Sequence, residues 1–229
     1  SYGKPQIVVP VSLVLSPVRV GATGGEQGIP IQNKGQADLS ITNLTFTGTD
    51  ASDFSVVTMA SMMAPFKVLT ASSADIKVQC KPTVQALRQA KLSITSNDPV
   101  NPSVEVAVSC RGTVANFEMS VDKIDFTTKQ QTGTCSSAQY VTVKNTGTDA
   151  LKILSLGFTG ANASSFKQTA PATRTVPGGG GTFVIPVQFC PVDIGSQKAD
   201  LEIATDFKPG HVAKVPLTGT STGPKVVVT

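Results

Sequence analysis

Tryptophan is absent from this chain, tyrosine occurs only as Tyr2 and Tyr140, histidine only as His211, and charged residues make up 15% of the sequence. Each scarcity removes a class of function. With so few large aromatics there is little on which a sugar or a nucleobase could stack, and no run of Lys and Arg offers a grip on a phosphate backbone. The formal net charge of +4 is evenly spread: residues 1–114 carry nine basic against seven acidic side chains, and residues 115–229 carry ten against eight. No nucleic-acid partner is expected. A single histidine, with no recurring nucleophile or carboxylate pair beside it, supplies too little for acid–base or nucleophilic chemistry, so the chain reads as non-enzymatic. His211 itself follows Lys208-Pro-Gly210 and is expected as a solvated turn residue. Close Cys/His spacing is missing too, and no metal or cofactor is expected. Apolar runs such as Ile7 to Val11 and Val226 to Val228 fall far short of the roughly 20 residues that span a bilayer as helix.

Threonine, valine, serine and glycine are abundant instead, which favours short strands joined by turns. A length of 229 residues suits two domains of roughly 110, each able to bury a core. Internal similarity supports this division. Ile31-Gln-Asn-Lys-Gly-Gln-Ala-Asp-Leu-Ser-Ile41 lies without a gap on Val143-Lys-Asn-Thr-Gly-Thr-Asp-Ala-Leu-Lys-Ile153, at an offset of 112. In that register Asn33 meets Asn145, Gly35 Gly147, Leu44 Leu156, Phe46 Phe158, Gly48 Gly160 and Phe54 Phe166. Later the offset becomes 109, pairing Pro82 with Pro191, Leu92 with Leu201 and Ile94 with Ile203, and Gly112-Thr113 resembles Gly219-Thr220. Offsets change where loops belong.

Within each repeat apolar residues alternate, as in Ile29/Ile31, Ile76/Val78/Cys80, Leu92/Ile94 and Val104/Val106/Val108, the period-2 pattern of strands with one buried face. The pattern predicts about seven strands in the first repeat, near 11–20, 27–33, 38–46, 54–58 or 66–70, 74–80, 89–96 and 103–111. Asn33-Lys-Gly35 and Asn145-Thr-Gly147 are expected to close hairpins. The fold class is therefore all-β, two tandem immunoglobulin-like Greek-key sandwiches. Residues 1–114 form the first, 115–222 the second, and 223–229 a tail or the start of a further unit. Gly223-Pro-Lys-Val-Val-Val echoes Gly3-Lys-Pro-Gln-Ile-Val. That echo, with a start at Ser1 rather than at methionine, points to a piece of a longer, processed array.

Several motifs resemble the ASH/PapD-like superfamily of immunoglobulin-type domains, in particular bacterial choice-of-anchor D repeats. They are Asn33/Gly35, Thr47-Gly48, Phe54, Cys80-Lys-Pro82, Ala90/Leu92/Ile94 and Ser96-Asn-Asp-Pro99 in the first repeat. In the second they are Asn145/Gly147, Thr159-Gly160, Phe166, Pro177-Gly178, Phe189-Cys-Pro191 and Ala199/Leu201/Ile203. The first repeat lacks the Pro-Gly, and the second has Thr205-Asp-Phe-Lys in place of Ser-Asn-Asp-Pro. The resemblance implies spacer, adhesion or scaffold modules that share no active site.

Cys80, Cys110, Cys135 and Cys190 fall two to a repeat. In the Greek-key order Cys80 closes the fifth strand and Cys110 the seventh, at one end of the sandwich. Cys190 closes the second repeat's fifth strand, and Cys135 is expected to open its antiparallel neighbour. Bridges Cys80 to Cys110 and Cys135 to Cys190 are the expected pairs, whereas Cys110 and Cys135 would lie a domain length of roughly 30 Å apart. Such bridges place the chain in an extracellular, cell-surface or periplasmic setting. The competing reading is four buried thiols in an intracellular ASH-type scaffold.

Asp38, Asp50 and Asp53 fit no calcium-loop spacing and are expected in solvated turns. Gly178 to Gly181 lacks the Lys-Ser/Thr of a phosphate loop. The segment Met59-Ala-Ser-Met-Met-Ala-Pro-Phe66 holds three of the four methionines, an adaptable surface that makes Met59, Met62, Met63 and Phe66 the candidate partner-binding loop; the alternative is that it packs over an open sandwich edge. The expected function is a structural or interaction module whose partners are proteins and adjacent domains of a longer chain. A two-domain periplasmic pilus chaperone is the runner-up, although no long alternating strand with paired cleft basics is evident.

Overall fold

A computed structural model describes residues 3–57 and 64–223. The chain divides into two compact units, Ser1–Thr113 and Val114–Thr229. In the first unit the strands are β1 (Ile7–Val8), β2 (Ser12–Val14), β3 (Val18–Arg19), β4 (Gln27–Asn33), β5 (Leu39–Thr47), β6 (Phe54–Val57), β7 (Phe66–Val68), β8 (Ser73–Cys80), β9 (Leu87–Ser96) and β10 (Ser103–Thr113). In the second they are β11 (Glu118–Met119), β12 (Ile124–Gln131), β13 (Gln139–Asn145), β14 (Leu151–Thr159), β15 (Phe166–Gln168), β16 (Arg174–Val176), β17 (Gly181–Phe189), β18 (Gly195–Thr205) and β19 (Val212–Thr222). Each unit is a sandwich of the immunoglobulin type. One sheet of the first runs β1-β4-β8-β6 and the other β2-β10-β9-β5-β7, with β3 also on β10; the second unit repeats this as β11-β13-β17-β15 and β12-β19-β18-β14-β16.

The alternation in the sequence becomes burial. Ile76, Val78 and Cys80 of β8 face Leu92 and Ile94 of β9 and Val106, Val108 and Cys110 of β10 across one core. Val141, Val143, Ile185, Val187, Leu201, Ile203, Val215 and Leu217 form the equivalent core of the second unit. Each such side chain, taken from water, contributes roughly 1.5–3 kcal/mol. Even the irregularities recur. The β5–β9 register slips between Ile41 and Asn43, and the β14–β18 register slips between Ile153 and Ser155.

Three expectations are corrected. The first strand is not continuous over 11–20: β1 pairs with β4, the chain crosses to the other sheet at Pro10, and beyond Pro17 β3 resumes on β10. Proline has no N–H to give to a ladder, so both breaks fall where the sequence places one. Segments 54–57 and 66–68 are both strands, in opposite sheets, β6 on β8 and β7 on β5. Finally, Asn33-Lys-Gly35 closes no hairpin, because β4 and β5 belong to different sheets. The side chain of Asn33 is buried and spans that crossover. Its Nδ2 donates to the carbonyls of Ala37 (2.8 Å) and Val68 (3.0 Å), and its Oδ1 accepts from Gly35 N (3.0 Å) and Gln6 N (3.3 Å). Asn145 repeats the pattern with Asp149, Val176, Gly147 and Asn116. Gly35 must lack a Cβ, which would lie 2.2 Å from the Lys4 carbonyl.

Candidate functional site

Cys80 is bridged to Cys110 and Cys135 to Cys190, with Cα–Cα separations of 6.5 Å and 4.1 Å. The first bridge joins β8 to β10 across the sandwich, and both of its cysteines are 1% exposed. The second is different in kind. Cys135 does not open a strand but sits, exposed, in the loop between β12 and β13, and Cys190 lies one residue past β17. Strand register identifies the counterparts in the two units. Phe54 pairs with Cys80 as Phe166 pairs with Phe189, and Arg88 pairs with Cys110 as Gln197 pairs with Gly219. Cys80 and Cys110 therefore correspond to Phe189 and Gly219. The likeness of Gly112-Thr113 to Gly219-Thr220 is thereby overturned, since the ladder sets Gly219 against Cys110.

Where the first unit has its buried bridge, the second has an aromatic cluster. The Phe189 ring lies 5.7 Å from Phe126 and 5.3 Å from Phe166 between centroids. Its atoms occupy the space a side chain on Gly219 would need.

Beside this position the first unit buries charge. Asp53 is 2% exposed. Its carboxylate accepts from Arg88 Nε, from Thr83 N (3.3 Å) and from Thr83 Oγ1 (3.2 Å), while Arg88 Nη2 reaches Asp50 Oδ1 at 2.7 Å. Burial alone would raise the Asp53 pKa, but the hydrogen bonds from Arg88 and Thr83 outweigh it and hold the carboxyl below its ordinary value. Asp50 and Asp53 are thus not solvated turn residues. In the second unit the corresponding Ser165 and Gln197 form a buried neutral hydrogen bond of 2.7 Å.

The other end of each sandwich shows a second exchange. Asp98, 1% exposed, accepts from Ile7 N (2.9 Å), Val100 N (2.8 Å) and Asn101 N (3.2 Å). Burial pushes its pKa up, and these three backbone donors bring it below the usual carboxylate range. In the second unit Phe207 stands at this place, and His211 lies between Phe207 and Phe117, edge-on at 5.2 Å and 4.8 Å. Nδ1 of His211 shares a 2.7 Å hydrogen bond with Thr205 Oγ1. His211 thus lies in the turn between β18 and β19, as expected, but is half-buried rather than fully solvated. Burial first, and the nearby Lys208 charge second, lower its pKa. The signal available in the sequence was the pair of phenylalanines at positions whose counterparts are Ile7 and Asp98.

Of the candidate partner-binding loop, Met59, Met62 and Met63 lie outside the described residues. Phe66 is buried in β7, opposite Ile41, and packs into the first core. Among the described residues no group of three or more His, Cys, Asp and Glu is placed to hold a metal ion, and no helix is long and apolar enough to cross a membrane.

No family model matches the chain, and no curated protein matches it. Similar solved structures include the ASH/PapD-like domain 7 of human CEP192, at 20% identity over 48% of this chain and 87% of that one, TM-score 0.35. The CupB2 chaperone of Pseudomonas aeruginosa is 11% identical over 91% of this chain and 98% of its own, TM-score 0.34. The secreted serine protease VesC of Vibrio cholerae is 16% identical over 88% of this chain, which spans 51% of that structure, TM-score 0.38. At these identities and TM-scores none of the three assigns a role to this chain.

Proposed function

We propose that this chain is a non-catalytic structural and protein-interaction module of a secreted or cell-surface protein, built from consecutive choice-of-anchor D-type repeats. The observation that carries the reading is that each unit holds a disulfide, a bond that persists in oxidising compartments. The buried polar groups agree with a scaffold role. Asn33, Asn145, Asp53 and Asp98 spend their hydrogen bonds on neighbouring backbone and side chains of their own unit, which rigidifies the loops they join. Module partners in this reading are proteins and adjoining domains of a longer chain.

Thiol counting tests it. Protein isolated from its native source without reductant, denatured and treated with a thiol reagent, should show no free thiol. Four reactive thiols per chain would overturn the secreted reading and favour the intracellular scaffold.

A further inference from the structure

We infer that the Cys135–Cys190 bridge is an exchangeable external clasp: a site at which low-molecular-weight thiols form a mixed disulfide with Cys135 while the second unit stays folded. Access is the first ground. Cys135 is exposed in the loop between β12 and β13, while Cys190 is 6% exposed and both Cys80 and Cys110 are 1% exposed. Thiolate attack requires approach to a sulfur, and Cys135 is the exposed residue of the pair.

The second ground is that the fold provides its own control. The same loop exists in the first unit without a bridge. There Gly21 N donates to Pro82 O (2.9 Å) and Gly24 N to Cys80 O (2.8 Å); in the second unit Gly133 N donates to Pro191 O (3.0 Å) and Ser136 N to Phe189 O (2.8 Å). This correspondence puts Thr23 and Lys81 where Cys135 and Cys190 stand. In the first unit that loop is tied by these backbone hydrogen bonds, with no cysteine at either of the two positions. In the second unit the loop has further ties that do not pass through sulfur: Phe189 N donates to Ser136 Oγ (3.0 Å) and Gln188 Nε2 to Ser136 O (3.0 Å). Closure of the sandwich beneath it falls to Phe189 over Gly219, which no reductant alters.

The step balances as ordinary exchange. A thiolate RS⁻ attacks Cys135 Sγ, the S–S bond breaks, and Cys190 leaves as a thiolate that takes a proton from water. A second RS⁻ attacks the mixed disulfide at the sulfur of R, forming RSSR and releasing Cys135 as a thiolate, which is protonated in turn. Two thiols are oxidised and one bridge is reduced.

The oxidised full chain would be titrated with reduced glutathione, quenched in acid, alkylated and mapped by peptide mass, with circular dichroism recorded at each step. The expected result is a glutathione adduct on Cys135, then labelling of Cys135 and Cys190 at reductant concentrations on the order of tenfold or more below those that label Cys80 and Cys110, with the β signal retained. Co-labelling of all four cysteines, an adduct on Cys190 instead, or loss of the β signal as the second bridge opens would overturn the inference. Cys135→Ser combined with Cys190→Ser provides the independent check: this variant should be folded, and in the same glutathione titration it should take up label only at the concentrations that reduce Cys80–Cys110.

Discussion

The ring of Phe189 lies so close to Gly219 that a Cβ on the glycine would sit 2.7 Å from a ring carbon. In the first unit the corresponding residues, Cys80 and Cys110, are covalently joined. One volume at the end of a sandwich is thus closed in two chemically unrelated ways within a single chain. Gly219→Ala should therefore destabilise the second unit by about 1–3 kcal/mol through overpacking, read as a lower denaturation midpoint at unchanged m-value. Phe189→Cys with Gly219→Cys should recover stability under oxidising conditions by recreating the first unit's bridge.

Removing the two native bridges should have unequal effects. Cys80→Ala with Cys110→Ala deletes a cross-link and leaves a hole in the core, so its loss should exceed the roughly 2–4 kcal/mol of a cross-link alone. Cys135→Ser with Cys190→Ser should stay within that range. Chemical denaturation of both variants, resolved by unit through hydrogen exchange, gives the comparison.

Asp53→Ala leaves the Arg88 guanidinium without its closest carboxylate and should cost about 3 kcal/mol. The second unit shows how the loss can be repaired. Asp53→Ser combined with Arg88→Gln reproduces the Ser165–Gln197 pair and should be more stable than Asp53→Ala, by a double-mutant cycle on the first unit's unfolding.

Acid should unfold the units through different groups. Asp53 and Asp98 have folded pKa values below their unfolded ones. The stabilisation they provide is present above the unfolded value near 4 and is lost as pH falls through the folded values. Ser165 and Phe207 stand at these two places in the second unit, so unit-resolved hydrogen exchange should show the first unit losing protection as pH falls below about 4, and Asp98→Asn should flatten that slope.

His211 acts in a higher window. Its folded pKa is also lowered, so the unfolded state binds the proton more readily and the second unit loses stability as pH falls below about 6.5. His211→Phe should remove this dependence. An unchanged pH slope between about 7 and 5 in the variant would show that the histidine contributes none of it.

Much of the architecture was legible in the residues, for a specific reason. Alternation in Ile76/Val78/Cys80 or Leu92/Ile94 states which face is buried, and sheet order then places the cysteines of β8 and β10 at one end. What stayed hidden depends on partners far away in sequence. Asn33 next to Gly35 looks like turn chemistry, and only its bond to Val68 O, 35 residues on, shows a strut between sheets. Asp53 and Asp98 look like loop acids until Arg88 and the Ile7 amide, 91 residues from Asp98, are brought to them. His211 reads as a turn residue because one of its two aromatic neighbours, Phe117, lies at the start of the unit, far from it in sequence. Gly219-Thr220 has the same letters as Gly112-Thr113, but the ladder that sets Gly219 at the place of Cys110 is not displayed in the sequence.

The first long strand of the second unit, β12, lies parallel to its last, β19, pairing from Ile124 with Leu217 to Gln131 with Thr222. Parallel neighbours at the two termini mean that the entering and departing chain point away from each other along one axis. Tension on the ends therefore loads those ladder bonds sideways and together, as in a lap joint, whereas a hairpin pulled at its open end would peel one bond at a time. Pulled at its ends, the second unit should therefore give way only when the two segments of that ladder, on either side of the break between Phe126 and Gln130, are sheared.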